Sequence, residues 1–216
     1  MKYGLVGASG RMGLEIESLM QEAGNKAVLK YDKSGLWQEG TPEVLIDFSS
    51  PETLEKTLHL AREMNSPLVI GTTGYTDEQL SMINEVSQKI PAVLSYNYSV
   101  GIQMLLKCVE FLSDNLADWD IEITETHHRF KKDKPSGTAL MLRNAIGKDV
   151  GIHSLRIGNI AGEHSVSFGG LGEVLTLTHS ATSRRTFAEG VLKAVNFIVQ
   201  KEFGLYSFKD VLFQNN

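Results

Sequence analysis

The sequence predicts an α/β protein, with a Rossmann-type doubly wound parallel sheet in front and a second, mixed α+β domain behind it. Over the first hundred residues, short apolar runs alternate with amphipathic helical patterns, and a glycine-rich turn stands between the first run and the first helix. Near residue 100 the pattern changes to alternating strands punctuated by glycines. With 216 residues, 42% of them hydrophobic, the chain can build one large core or two modest ones, and disorder is not the default.

Residues 3–6 form the first apolar run, and residues 11–23 place Met12, Ile16, Leu19 and Ala23 on one helical stripe that Gly24 stops. Runs at 27–31, 44–48, 68–70 and 92–94 are almost continuously apolar, as strands buried on both faces are, which predicts a parallel sheet with right-handed crossovers. Ser50, Pro51 and Glu52 open one helix as cap, first-turn proline and dipole-matched acid, and Thr76 with Gln79 opens another as a capping box. Beyond residue 100 a long helical pattern at 102–116 leads into a strand with Ile121 and Ile123 on one face and Glu122 and Thr124 on the other, so one face is wet. Strand-like segments follow at 154–157, 165–168 and 174–179, separated by glycine turns at Gly158, Gly162 and 169–172. Residues 187–199 read as an amphipathic helix. The last seventeen residues carry no second core and are expected to pack back onto the first domain. The expected division is residues 1–98 plus 185–216 in one domain and 99–184 in the other.

A net charge of −5 gives no broad basic field for nucleic acid, and no run of eighteen apolar residues suits a membrane. The N-terminal residues read as a strand rather than a cationic leader, so a cytoplasmic protein with a small-molecule partner is expected. The single cysteine, Cys108, falls in the apolar pattern of Ile102, Leu105, Leu106, Val109 and Leu112 and is expected to be a buried structural thiol.

Gly7, Ala8, Ser9, Gly10, Arg11, Met12 and Gly13 join the first strand to the first helix, where glycines allow a sharp turn and close approach to a pyrophosphate, and the helix start offers amide donors. Their G-x-x-G-x-x-G spacing differs from the common G-x-G-x-x-G, and the strand-turn-helix context carries the argument. Asp32 ends the second strand at the distance suited to accepting hydrogen bonds from an adenosine ribose, and Lys33 beside it suits a 2'-phosphate, so NADH and NADPH both remain open. Ligands in such sheets lie beyond the carboxyl ends of the strands. Phe48, the Gly71-Thr72-Thr73 turn and Ser95, Tyr96, Asn97 and Tyr98 occupy such ends and are taken as further cofactor contacts.

The densest chemistry lies in the segment from Glu125 to Ala139. Two histidines, one arginine and three lysines fall within residues 127–134 of an acidic chain, a concentration that suits an anion. Pro135, Ser136, Gly137 and Thr138 then lead into a helical pattern at 139–148, so amides and hydroxyls converge on a carboxylate cradle. Together they suit a substrate with two carboxylates. Histidine moves protons near neutral pH, and lysine supplies fixed charge to an anion formed after hydride addition. Metal binding by His127 and His128 is set aside, because adjacent strand residues point to opposite faces and Cys108 is the only thiol.

The run E-T-H-H-R-F-K-K-D-K-P-S-G-T-A, with G-x-x-G-R-M-G, D-F-S, G-T-T-G, S-Y-N-Y-S-V-G and S-R-R-T-F-A-E-G, resembles the dihydrodipicolinate reductases. The resemblance implies a nucleotide-binding domain plus a mixed α+β domain that carries substrate residues and assembles a homotetramer. It implies reduction of a small cyclic dicarboxylate to tetrahydrodipicolinate in lysine biosynthesis through diaminopimelate. By the same resemblance His127 is the proton-transferring residue and Lys131 its partner, while His128, Ser136, Gly137 and Thr138 contact substrate. It also matches residues 7–12, Asp32, 71–73 and 95–98 to cofactor contacts, with Tyr98 standing where the family often has phenylalanine. Two departures stand out. Only fourteen residues separate Asp32 from Asp47, too few for the helical unit common there, so one crossover is expected to be lost; and Phe130 replaces a frequent histidine and has no proton role. A reductase of another small imine or keto acid would use the same cradle, whereas a nucleotide-sensing module would not need the His127 and Lys131 pair.

Overall fold

The computed structural model describes residues 1–213; residues 214–216, the end of the segment assigned to the first domain, lie outside the described residues. The chain divides into two compact units, Met1–Tyr98 with Phe187–Asn216, and Ser99–Thr186.

In the first unit the elements run β1 (Lys2–Val6), α1 (Arg11–Glu22), β2 (Lys26–Asp32), β3 (Gly35–Gln38), β4 (Val44–Asp47), a 3-10 turn (Pro51–Thr53), α2 (Leu54–Met64), β5 (Leu68–Ile70), α3 (Asp77–Ser87) and β6 (Ala92–Leu94). Strands β6, β5, β4, β1 and β2 pair in parallel in that order. The strands are apolar because helices cover them: Leu5, Val6, Leu45, Ile46, Leu68, Val69 and Val93 are fully buried. The order reverses beside β1, whose neighbours are β2 and β4, and this switch point is where open α/β sheets bind ligands.

As the short span after Asp32 implies, the crossover helix is lost, and the chain there folds into an antiparallel hairpin with β3 paired to β2. Two local expectations change in this unit. Ser50 is extended and makes no side-chain cap; Pro51 starts a 3-10 turn first, and Thr53 immediately precedes α2. Ala23 leaves the buried stripe and sits exposed just after α1, where Met20 takes its place in the core. The capping box at α3 is present in full, with Thr76 accepting from the Gln79 amide and Gln79 reaching back.

The second unit contains α4 (Val100–Asn115), β7 (Asp120–His127), α5 (Gly137–Ile146), β8 (Gly151–Arg156), β9 (Glu163–Gly169) and β10 (Val174–Ser180). Its sheet runs β10, β9, β7, β8, with only the β7–β8 pair parallel. Ile121, Ile123, Val166 and Phe168 face α4 and α5, where they meet Ile102, Leu106, Val109, Leu142 and Ile146. The opposite face carries Ser165 against Thr178 and Ser167 against Thr176 as cross-strand hydroxyl pairs. Cys108 is exposed, contrary to expectation. The buried stripe of α4 is Ile102, Leu105, Leu106 and Val109, and position 108 falls beside it, in a shallow apolar hollow with Phe111, Leu175 and Leu177.

Helix α6 (Arg185–Ile198) returns the chain to the first unit, where β11 (Leu205–Tyr206) adds in parallel to β6 and α7 (Phe208–Phe213) follows. Phe208 is fully buried against the ring of Tyr98, 5.1 Å between centroids. The tail therefore packs onto the first unit as its lack of a separate core implies.

Candidate active site

The first functional feature belongs to the first unit. Gly7 adopts φ +85 at the end of β1, and a Cβ there would run into the Phe48 carbonyl oxygen. A Cβ on Gly13 would collide with the carbonyl oxygen of Gly7. The turn can therefore close only with glycine at both places, and it delivers the start of α1 without a side-chain cap or a first-turn acid. Open amides and an uncancelled helix dipole favour an anion there. A groove of about 320 Å³ runs along this turn, lined by Gly7, Ser9, Gly10, Asp32, Lys33 and Phe48 from the expected set. It also takes in Tyr31, Ser49, Ser50 and Thr53, which are not among the residues expected to contact cofactor. The glycine cradle and an acidic strand end fit a dinucleotide.

Asp32 accepts from both the amide and the hydroxyl of Ser34, at 2.8 and 2.6 Å, in the turn of the β2–β3 hairpin. Those Ser34 bonds, with help from Ser9, hold its carboxyl below the usual range, so it stays ionised beside the groove. The hairpin that replaces the missing crossover thus fixes the carboxylate expected to meet a ribose.

Of the remaining expected cofactor residues, 71–73 and 95–98 follow β5 and β6 and do not line this groove. Gly71 has no room for a Cβ because the Phe48 ring occupies that space. Thr72 is buried and its hydroxyl donates to Asp47 at 2.9 Å while accepting from the Ser49 amide, leaving exposed Thr73 as the hydroxyl open to a ligand. Ser95 donates to the Asn97 carbonyl, which shapes the turn that exposes Tyr96. The Tyr98 side chain is buried between Phe48 and Phe208, and its hydroxyl donates to the Ile70 carbonyl at 2.8 Å. Ala8 is buried and Arg11 exposed, with Met12 between.

The second feature belongs to the second unit. Strand β7 ends in Glu125, Thr126 and His127, all buried, and the register sets Glu125 opposite Ser154 and His164 and sets His127 opposite Arg156. Glu125 and His127, two apart on a strand, point the same way. The Nδ1 of His127 is hydrogen-bonded to Glu125. Arg156 grips the same carboxylate with both terminal nitrogens, 3.0 and 2.8 Å, and its Nη2 also donates to the Asp133 carbonyl at 2.6 Å. Burial pushes the Glu125 carboxyl up, but the bonds from Arg156, Ser154 and His127 outweigh it and bring it down to about 2. Burial lowers His127, with Glu125 opposing, and burial lowers His164 to about 3. The His127 and His164 rings meet edge to face at 5.1 Å.

The cationic loop continues from there. Lys131 is partly buried and pairs with Asp133 at 2.8 Å. His128 is buried with its ring near that of exposed Phe130. Ser136 caps α5 by accepting from the Ala139 amide, and it meets His164 at 3.2 Å, so its hydroxyl organises the helix start. Gly137 and Thr138 follow in the first turn of α5, the part of a helix whose amides suit an anion. Glu125, His127 and His164 bring three donor atoms within 4.8 Å of one another. The guanidinium of Arg156, bidentate on Glu125, already neutralises the one carboxylate of that trio. Sequence reasoning gave no role to Glu125, Arg156 or His164; their only common signal is register across three strands.

A Rossmann-type sheet with a glycine cradle, joined in one chain to an α+β unit holding a buried histidine and an anion cradle, defines a nicotinamide-dependent oxidoreductase. Residues 1–98 match the family model described as dihydrodipicolinate reductase, N-terminus, and residues 101–212 match dihydrodipicolinate reductase, C-terminus. The 4-hydroxy-tetrahydrodipicolinate reductase of Thermosipho africanus is 47% identical over 212 residues, covering 98% of each chain. That of Campylobacter jejuni strain 81116 is 38% identical, covering 98% of this chain and 99% of its own. The solved structure of dipicolinate-bound dihydrodipicolinate reductase from Paenisporosarcina sp. TG-14 has the same fold, with a TM-score of 0.77 at 24% identity over 99% of both chains. The chain belongs to the dihydrodipicolinate reductase family, the NAD(P)H-dependent reductases of lysine and diaminopimelate biosynthesis.

Proposed function

We propose that this chain reduces the 4-hydroxy-tetrahydrodipicolinate-type product of the preceding synthase to tetrahydrodipicolinate, with the first unit holding NADH or NADPH and the second holding substrate. The observation that carries the residue roles is buried His127, standing at the head of a cationic loop that ends in the α5 anion cradle within one unit. The reduced nicotinamide, when bound, supplies the hydride. The 4-hydroxy form loses water to give the dihydropyridine, which takes up hydride plus one proton to give the tetrahydro product and the oxidised cofactor. The amides of Gly137 and Thr138 receive one carboxylate, and His128 and the loop cations receive the other. Addition of hydride to the ring carbon conjugated to the imine leaves an enamine-like anion. Lys131 holds that charge and His127 delivers the proton. In the first unit, the amides at the start of α1 bind pyrophosphate and Asp32 accepts from the adenosine ribose, with Lys33 at hand for a 2'-phosphate.

Among the described residues no helix is long and apolar enough to cross a membrane. The enzyme is assigned to the cytoplasm, with no nucleic-acid or membrane partner. Homotetramer assembly is assigned to the hydroxyl-lined face of the second sheet, where exposed Leu155, Ile157 and Val174 accompany the cross-strand pairs.

The test is a coupled assay with freshly made synthase product, following NADH and NADPH oxidation separately for wild type, His127→Ala and Lys131→Ala. Wild type should oxidise at least one cofactor, and each variant should lose on the order of a hundredfold or more. Failure of wild type to oxidise either cofactor overturns the activity, and full turnover by the variants overturns the roles.

A further inference from the structure

Two residues beside His127 have no place in the chemistry so far, although both are held tightly. Glu125 is fully buried, and its two oxygens accept from Arg156 at 2.8 and 3.0 Å while one also meets the Nδ1 of His127. We propose that the Arg156–Glu125 pair is a positioning device that locks His127 with its Nδ1–H directed at Glu125, leaving Nε2 as the atom that exchanges the proton with substrate. The inference rests on the assignment of proton transfer to His127 and adds the residues that orient it.

The geometry allows little else. A carboxylate engaged by a guanidinium on both oxygens is an acceptor only, so the nitrogen of His127 that meets it must carry hydrogen. In the neutral ring the other nitrogen, Nε2, is then bare, and in the protonated ring it carries the transferable proton. Gly162 lies next to that atom: a Cβ there would stand 3.2 Å from Nε2, so glycine keeps this side of the ring uncrowded. The edge of the His164 ring braces the imidazole from β9. Arg156 also holds the Asp133 carbonyl, so the same guanidinium ties the loop carrying Lys131 to the strand carrying His127. In the step itself the Nε2–H bond breaks, its proton goes to the ring anion left by hydride addition, and neutral His127 keeps its Nδ1–H on Glu125 until solvent restores the proton.

The charged and titratable groups facing His127 are Glu125 on its own strand, Arg156 from β8, His164 from β9 and Lys131 from the loop. Glu125 raises the proton affinity of His127, whereas Arg156 and Lys131 lower it. Deleting each charge should therefore move the histidine in opposite directions. In Glu125→Gln, kcat should fall by tenfold or more with little change in KM, and the basic limb of its pH profile should shift to lower pH. In Arg156→Gln the same limb should shift to higher pH. A merely structural role for the pair would lower activity without opposed shifts.

The deciding measurement does not depend on turnover. In full-length wild type, 15N shifts of the His127 ring above its pKa should report hydrogen on Nδ1 and none on Nε2, and Glu125→Gln should yield a mixture of tautomers. An Nε2–H tautomer in wild type overturns the proposal, as does a wild-type tautomer and pH profile in folded Glu125→Gln. If His127→Ala retains full turnover while the tautomer is as stated, it is the proton-transfer assignment that fails and not the orientation.

Discussion

Two buried carboxylates, one in each unit, answer the same problem in opposite ways. Asp47 at the end of β4 and Glu125 near the end of β7 are both fully buried. Asp47 is served by neutral donors alone: the hydroxyls of Thr57 at 2.6 Å and Thr72 at 2.9 Å, with the hydroxyl and amide of Ser49. Burial outweighs those bonds and its carboxyl is raised. Glu125 has a guanidinium on both oxygens and is lowered to about 2. Hydroxyls satisfy lone pairs and organise the strand ends around the groove, but they do not offset the loss of water around a charge. A cation does, and the second unit places its charge-bearing acid between Arg156 and His127.

The comparison breaks most readily at Arg156. Arg156→Met leaves an unpaired buried carboxylate and should cost about 3–5 kcal/mol in urea unfolding. Replacing both partners, as Glu125→Leu with Arg156→Met, should recover most of that loss while activity stays depressed. A single variant as stable as wild type would show that the pair contributes nothing. In the first unit the equivalent weak point is backbone, not charge. Gly13→Ala forces a methyl into the Gly7 carbonyl and should destabilise by about 1–3 kcal/mol. It should also weaken NADH binding by on the order of tenfold or more, read by quenching of protein fluorescence, while the KM for the cyclic dicarboxylate substrate is unchanged.

Acid titration sharpens the contrast. Glu125 binds its proton less readily folded than unfolded, so its stabilisation is complete above its unfolded value near 4.5 and is lost as pH falls towards about 2. Asp47, raised in the fold, works the other way: its contribution improves as pH falls through its folded value towards the unfolded 3.8. Denaturant melts at pH 5, 4 and 3 should show the wild-type advantage over Glu125→Gln shrinking with acid and that over Asp47→Asn growing. Parallel trends would refute the opposed environments. The smallest effect is expected at the surface, where Ser34→Ala removes one of the two Ser34 donors holding Asp32. Stability should change by less than about 0.5 kcal/mol. The KM for the dinucleotide should rise by a few-fold, and an unchanged KM would remove the hairpin from cofactor binding.

Much of the first unit was legible because its information is local. Gly7 and Gly13 bracket a strand-to-helix turn within one short segment, the apolar runs announce strands covered on both faces, and Thr76 with Gln79 makes a capping box three residues apart. Ser50 misled for the same reason: it looks like a cap before Pro51, but the chain takes a 3-10 turn first. The edge strands β3 and β11 escaped notice because four exposed residues and two paired ones carry no burial pattern to read. Cys108 was misplaced because a helical stripe read from sequence has no fixed width until the β10 neighbours Leu175 and Leu177 set its edge.

The sequence by itself determined where backbone must bend, which runs must be buried, and that a histidine and a lysine stand in a cationic loop before a helix start. Those follow from period, turn chemistry and composition over neighbouring residues. Only the tertiary structure decided which nitrogen of His127 faces an acceptor, because Glu125, Arg156 and His164 meet it through the pairing of β7 with β8 and β9. Register slips by one residue would turn each of those side chains to the opposite face, and no local pattern around residues 125, 156 or 164 records the choice.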